Sequence, residues 1–433
     1  MRCTYRSIAY SQIAVVCLFV LTSSLTVAQD VAQIEGFDPL ALQSAPVEKV
    51  DTTSSGNAKM YVEGSLGHAS RRYQLGGQDT QRLSLDISYS GNVGNGLRVV
   101  FSDRVDYNHP AVRGLDSTVN SMREAYLSWQ PVGDSNMIFD VGRINMRNGP
   151  GYGYNPTDFF RDGSLRVLTS ADPFALRQNR MGTVMLRGQR IWDGGSLSVA
   201  LSPKLDTRPS GDGWNLDLGS TNNRNRGLIA LGTKISESVS TQLLLYKEEN
   251  QSATIGANMT ALLSDAATAH LEWTRGKETD LMTRALVMPS NVVTRNRFVA
   301  GTTYTTLSKT SITVEYQYNG FGLDKRGFTR LAAVPGAQLA YLSEALRLQE
   351  LAPRQAVLLY ITQKGLFLKD LDLTAYLRYN PGDNSKLAWL QLRHHWSNFD
   401  LTFQLQQNIG RASSEFGILP DRTVMQVLGT YYF

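Results

Sequence analysis

The sequence predicts an all-β protein: a transmembrane antiparallel β-barrel of about 18 strands (16–18) with short turns at one end and long loops at the other. Three observations predict it. Apolar and polar residues alternate strictly in many short segments, the connections alternate between tight and long, and the chain ends in an aromatic amphipathic strand.

In order along the chain, residues 1–28 read as a signal peptide. Arg2 and Arg6 form a basic start, Ile13 to Leu21 an apolar run, and Thr26-Val27-Ala28 a small-residue exit. Cys17 sits inside the apolar run, which disfavours a lipoprotein box. Residues 29–57 are polar, loosely patterned and too short for a plug domain. The barrel is then expected over 58–433. In QRLSLDISYS, Leu83, Leu85, Ile87 and Tyr89 oppose Arg82, Ser84, Asp86 and Ser88. The same period of two sets Ile312, Val314, Tyr316 and Tyr318 against Ser311, Thr313, Glu315 and Gln317. Segments 371–379 and 401–406 repeat it. A soluble sandwich alternates too, so the connections carry more weight. Stretches 91–95, 131–135, 193–195, 264–266 and 368–370 are tight, whereas 69–79, 108–118, 146–180, 204–225, 276–294, 319–354 and 410–421 are longer. Aromatic rings near strand ends (Trp129, Trp273, Tyr318, Tyr379, Trp396) suit membrane interfaces. An even strand count returns both chain ends to one side.

The C-terminal stretch RTVMQVLGTYYF puts Met425, Val427, Gly429, Tyr431 and Phe433 on one face. This ending resembles that of Gram-negative outer-membrane β-barrels, in which Tyr431 and Phe433 would be the signal read by the barrel-assembly machinery. The resemblance implies an outer-membrane location in contact with lipid and lipopolysaccharide, with residues 29–57 and the short turns in the periplasm. Gly142-Arg143 and the preceding REAYLSW (123–129) also resemble, more distantly, 18-stranded barrels of the alginate-export type.

Composition excludes much chemistry. Both cysteines, Cys3 and Cys17, leave with residues 1–28, so no thiol site is expected, and five histidines argue against a His-rich metal centre. Of 43 basic residues, Arg2 and Arg6 leave with the same segment, and the remaining 41 face 38 acidic ones, a net of +3. That balance gives no reason to expect nucleic acid. No cofactor or metal is expected; Asp206, Asp212 and Asp217 match no ligand loop. Gly149, Gly151 and Gly153 lack the strand–helix frame of a phosphate cradle. His395 and Ser397 have the spacing of an outer-membrane lipid hydrolase, but their parity is that of Trp389, Gln391 and Arg393, toward the lumen. No enzymatic activity is therefore expected.

What remains is GRINMRNGPGYGYNPTDFFRD (142–162), where the alternation stops. Between 140 and 190 lie eight arginines and four aspartates, with no lysine or glutamate. Loop 146–180 follows the fifth expected strand, the place where porins fold a loop into the lumen. Its candidate constriction residues are Arg143, Arg147, Tyr152, Tyr154, Asp158, Arg161, Arg166 and Arg187, with Asp86, Glu124, Glu272, Glu315, Arg378 and Arg393 on the lumen wall. Arginine suits planar, multidentate contacts, either with an anionic solute or with lumen carboxylates that pin the loop. The expected function is a channel for small, anionic or zwitterionic solutes. The alternative is an export conduit for a secreted polymer, with a periplasmic partner docking on 29–57 and a helical insert at 321–354, carrying Leu339, Leu342, Ala345 and Leu346, as its cap.

Overall fold

The computed structural model describes residues 56–72, 76–289, 291–334 and 336–433. The expected signal peptide and nearly all of segment 29–57 lie outside the described residues.

Among the described residues, nineteen strands form one antiparallel sheet that follows chain order. They are β1 (Asn57–Arg71), β2 (Gly77–Gly94), β3 (Leu97–His109), β4 (Thr118–Asn120), β5 (Glu124–Trp129), β6 (Met137–Ile144), β7 (Thr183–Trp192), β8 (Gly195–Ser202), β9 (Arg226–Ser236) and β10 (Val239–Glu248). The second half comprises β11 (Thr254–Ser264), β12 (Ala267–Thr279), β13 (Val292–Thr305), β14 (Thr310–Asn319), β15 (Gln355–Gln363), β16 (Leu371–Asn380), β17 (Ser385–His395), β18 (Phe399–Ile409) and β19 (Asp421–Tyr432). Both β4 and β5 pair with β3 and together occupy one position, so the wall has 18 staves. The C-terminal β19 pairs with β1, Tyr61 opposite Tyr432 and Gly64 opposite Gly429, which closes the sheet and removes both edges.

The polarity of the wall is inverted relative to a soluble protein. Leu83 and Leu401 are exposed on the outer face (55% and 42%), whereas Ser84, Asp86, Thr313, Glu315 and Gln317 are buried inside. Alternation thus sorts apolar residues toward lipid and polar ones toward the lumen, and the closed ladder satisfies every strand inside a membrane.

Among the described residues, five helices sit in the long connections. They are α1 (Pro173–Asn179), α2 (Leu218–Thr221), α3 (Leu281–Leu286), α4 (Lys325–Ala332) and α5 (Ala337–Arg347). Asp172, Asp280 and Asp324 cap α1, α3 and α4 by accepting backbone N–H bonds. Leu281, Phe328, Leu331, Tyr341, Ala345 and Leu348 bring α3, α4 and α5 into one apolar cluster. The insert expected at 321–354 is therefore helical, but its buried stripe is Gln338, Tyr341 and Ala345. Leu339 and Leu346 are exposed.

Candidate functional site

After Ile144 the chain leaves the wall and turns into the lumen, where two wall carboxylates receive it. Glu272 on β12 accepts from Gly151 N–H at 2.6 Å, Asn155 Nδ2 at 2.9 Å and Thr157 Oγ1 at 2.8 Å. Glu315 on β14 accepts from the N–H groups of Tyr152 and Gly153, and His270 Nε2 lies 2.8 Å from it. Both carboxylates are fully buried. Gly149 has φ +87°, and a Cβ there would collide with the Glu272 carboxylate; at Gly153 it would meet Gln317 and Leu358. The glycines bring loop backbone within hydrogen-bonding distance of wall side chains.

Most arginines of this stretch are spent on holding the loop. Arg180 grips Asp158 with two bonds of 2.8 and 3.0 Å, and Arg177 stands 3.5 Å from the same carboxylate. Burial opposes the charge on Asp158, but Arg180 and Arg177 outweigh it and keep its pKa below the usual carboxylate value. Arg161 is buried, pairs with Glu350 at 2.7 Å and lies over the Tyr154 ring, whose hydroxyl donates to Glu350 at 2.5 Å. Arg166 donates to the carbonyls of Asn120 and Asn215, both at 2.7 Å. Arg187 pairs with Asp140 at 2.8 Å across β6 and β7.

Arg143, read above as lining the constriction, is placed elsewhere. It shares the outward row of β6 with Phe139 and Val141. There the 203–225 connection covers it, and it donates to Gly182 O at 3.0 Å, Leu216 O at 2.8 Å and Thr221 Oγ1 at 3.1 Å. Among the candidate arginines, Arg147 alone is exposed as a whole residue. Its depth within the barrel and the nearby Arg180 lower its pKa, and Glu124 on the inner row of β5 acts in the opposite sense.

Several groups that position the loop were not singled out from sequence. Glu350, at the end of the long insert, also pairs with Arg297 at 3.2 Å, while Arg297 holds Glu278 in two bonds of 2.8 and 2.7 Å. Asp162 pairs with Arg224 and Arg347. On the opposite wall, Met185, Ala200, Leu228, Leu244 and Tyr246 make an apolar lumen patch that receives Ile144, Met146 and Phe160. Phe159 stacks on Tyr246 at 4.5 Å. The unbroken runs GLIAL (227–231) and LLLY (243–246) were the available signal, because strands apolar on both faces need a packing partner inside. A second seat lies on β15–β17, where Tyr360, Tyr376 and Trp389 stand side by side in register. The Tyr152 ring packs edge-on against Tyr360, and Tyr376 donates to Ala171 O at 2.8 Å.

The other wall residues form local pairs. Asp86 lies 2.5 Å from Arg123 and accepts from Tyr61 at 2.8 Å. Arg378 lies 3.5 Å from Glu415, and Arg393 is half-buried on the inner row of β17. His395 sits between Asp400 (2.9 Å) and Asp372 (3.4 Å), whereas Ser397 lies beyond the end of β17. Asp206, Asp212 and Asp217 accept backbone N–H bonds that shape their own loop. No group able to hold a metal ion occurs among the described residues. Tyr431 and Phe433 are exposed at the closing strand, their rings 5.1 Å apart.

No protein-family model and no curated protein matches the sequence. Solved structures do match the fold. Acinetobacter baumannii OccAB1 aligns over 89% of this chain and 99% of its own, with a TM-score of 0.58 and 11% identity. OccAB3 from the same organism gives 0.56 at 7% identity over 88% and 99%. Pseudomonas aeruginosa OccK5 (OpdH) gives 0.54 at 10% identity over 88% and 98%. The fold is that of Gram-negative outer-membrane porins, a closed 18-stranded barrel.

Proposed function

We propose that this protein is an outer-membrane channel that passes small solutes through the gap left beside the 145–182 loop, with zwitterions favoured and simple anions next. One observation supports the reading: the loop is held inside the barrel by hydrogen bonds to Glu272, Glu315 and Glu350, the arrangement a fixed constriction requires. The exposed Arg147 and the half-buried Glu124 offer opposite charges in the same region. The number of bonds pinning the loop weighs against a polymer-wide export conduit.

Planar-bilayer recording of the purified protein tests this. Discrete conductance steps are expected, and deleting 148–178 is expected to raise them several-fold. Absence of steps in both proteins would sink the channel reading. Arg147→Gln is expected to lower the anion/cation permeability ratio, whereas Arg143→Gln leaves that ratio unchanged and lowers only thermal stability. An equal effect of the two substitutions on reversal potential would remove Arg147 from selectivity.

A further inference from the structure

The lumen retains a cavity of about 520 Å³ between the pinned loop, α5 and the wall formed by β16–β19. Its lining is unusual for a water-filled barrel. Leu168 and Leu346 are exposed by 51% and 47%, and both face this space together with Leu342, Leu165 and Leu176. Leu165, Leu168 and Leu176 come from the loop, Leu346 from the exposed side of α5, and Leu342 from the margin of the α3–α4–α5 cluster. They are not on the lipid side, where exposed leucine is expected. Across the cavity, Leu387, Trp389 and Val424 occupy inward positions of β17 and β19 beside the amides of Gln406, Asn408 and Gln426. The charges in the lining have partners: Arg180 and Arg177 with Asp158, Arg161 with Glu350, Arg378 beside Glu415, and Asp421 with Arg71. The strand residues that line the cavity lie toward the long-loop end of β16–β19.

We infer that this vestibule is a binding site for solutes with a bulky aliphatic or aromatic body and neutral or zwitterionic polar groups, which it holds before they reach the constriction. The leucines facing one another remove the apolar body from water, and the amide row accepts and donates hydrogen bonds without demanding a net charge. An anion-selective vestibule would present unpaired cations; this one presents apolar surface and matched charges. The inference rests on the channel reading only for the step after binding.

Leucyl-leucine and glycyl-glycine are suitable probes, because they share termini and backbone and differ in apolar side chains. Calorimetric titration of the detergent-solubilised full-length barrel is expected to show leucyl-leucine binding at least about tenfold more tightly, the effect of withdrawing one or two leucine side chains from water. In bilayers, leucyl-leucine added from the long-loop side is expected to block current at correspondingly lower concentration. Leu346→Ser, on the exposed, cavity-facing side of α5, is expected to bring the two dipeptides close to parity. Leu168→Ser, on a different segment, is expected to move in the same direction. Equal binding of the two dipeptides to the unmodified protein overturns the inference, as does discrimination that survives both variants. Discrimination in the calorimeter with no conductance at all would leave the vestibule standing and defeat the channel reading instead.

Discussion

At the scale of single residues, the site is governed by buried carboxylates that accept from loop backbone. Glu272→Ala strands the N–H of Gly151 and the hydroxyl of Thr157, at about 1–3 kcal/mol for each unsatisfied group. A lower Tm and noisier open-channel current are expected; unchanged values for both would show that Glu272 does not clasp the loop. Glu415 supports a pH prediction. Burial raises its pKa to about 7 from 4.5, against the opposing effect of Arg378. The folded state therefore binds a proton that the unfolded chain releases between those values. The corresponding stability is complete below 4.5 and is lost as pH rises through about 7. In function, acidification through 7 neutralises Glu415 and leaves the Arg378 charge uncompensated at the vestibule. The anion/cation permeability ratio should rise on that step, and Glu415→Gln should hold it at the acidic value throughout. A ratio that still titrates near 7 in Glu415→Gln would assign the effect to another group.

At the scale of elements, the 145–182 segment is a packed part of the interior. Its aromatic side chains seat on two walls, Phe159 and Phe160 against β7–β10 and Tyr152 against β15, while its backbone meets β12 and β14 between them. Gly149→Ala places a methyl group against Glu272 at a φ of +87° and is expected to lift the loop, raising mean conductance. Gly114→Ala is the control: its φ is +82° and nothing lies within 4 Å, so it carries backbone strain without a collision. Matching conductance changes in the two variants would reduce the Gly149 effect to strain alone. The same element logic explains α5. It is amphipathic, but its buried face is built on Tyr341, whose hydroxyl donates to Ala352 O at 2.7 Å, and Leu346 is left exposed to the cavity.

At the scale of the whole molecule, pairing of β19 with β1 closes the sheet and makes every stave mutually dependent. Removal of Tyr431–Phe433 deletes the end of that seam and the proposed assembly signal together. A marked fall in folded barrel recovered from outer membranes is expected. Normal recovery would separate closure from recognition of the terminus. Refolding of the same truncated chain into detergent micelles isolates the purely physical contribution, because no assembly machinery is present there.

The architecture was legible because a barrel is written locally. Period-two alternation in segments such as 83–89 and 312–318 needs only the strand itself and its solvent, and both faces were assigned correctly from it. The short and long connections likewise carried the topology, and the loss of period at 145 marked where the chain leaves the sheet. The lumen contents were not local. Glu350 was not singled out, Arg143 read as a lumen arginine and the 149–153 glycines only as lacking the frame of a phosphate cradle, and each took its meaning from a partner remote in sequence. Sequence by itself determined that the chain forms a closed, inverted barrel with an inward-turning stretch after its fifth stave. Only the tertiary structure decided which charges are consumed inside and which stay open. Pairing of buried ions depends on distances of a few ångströms between segments that alternation does not relate.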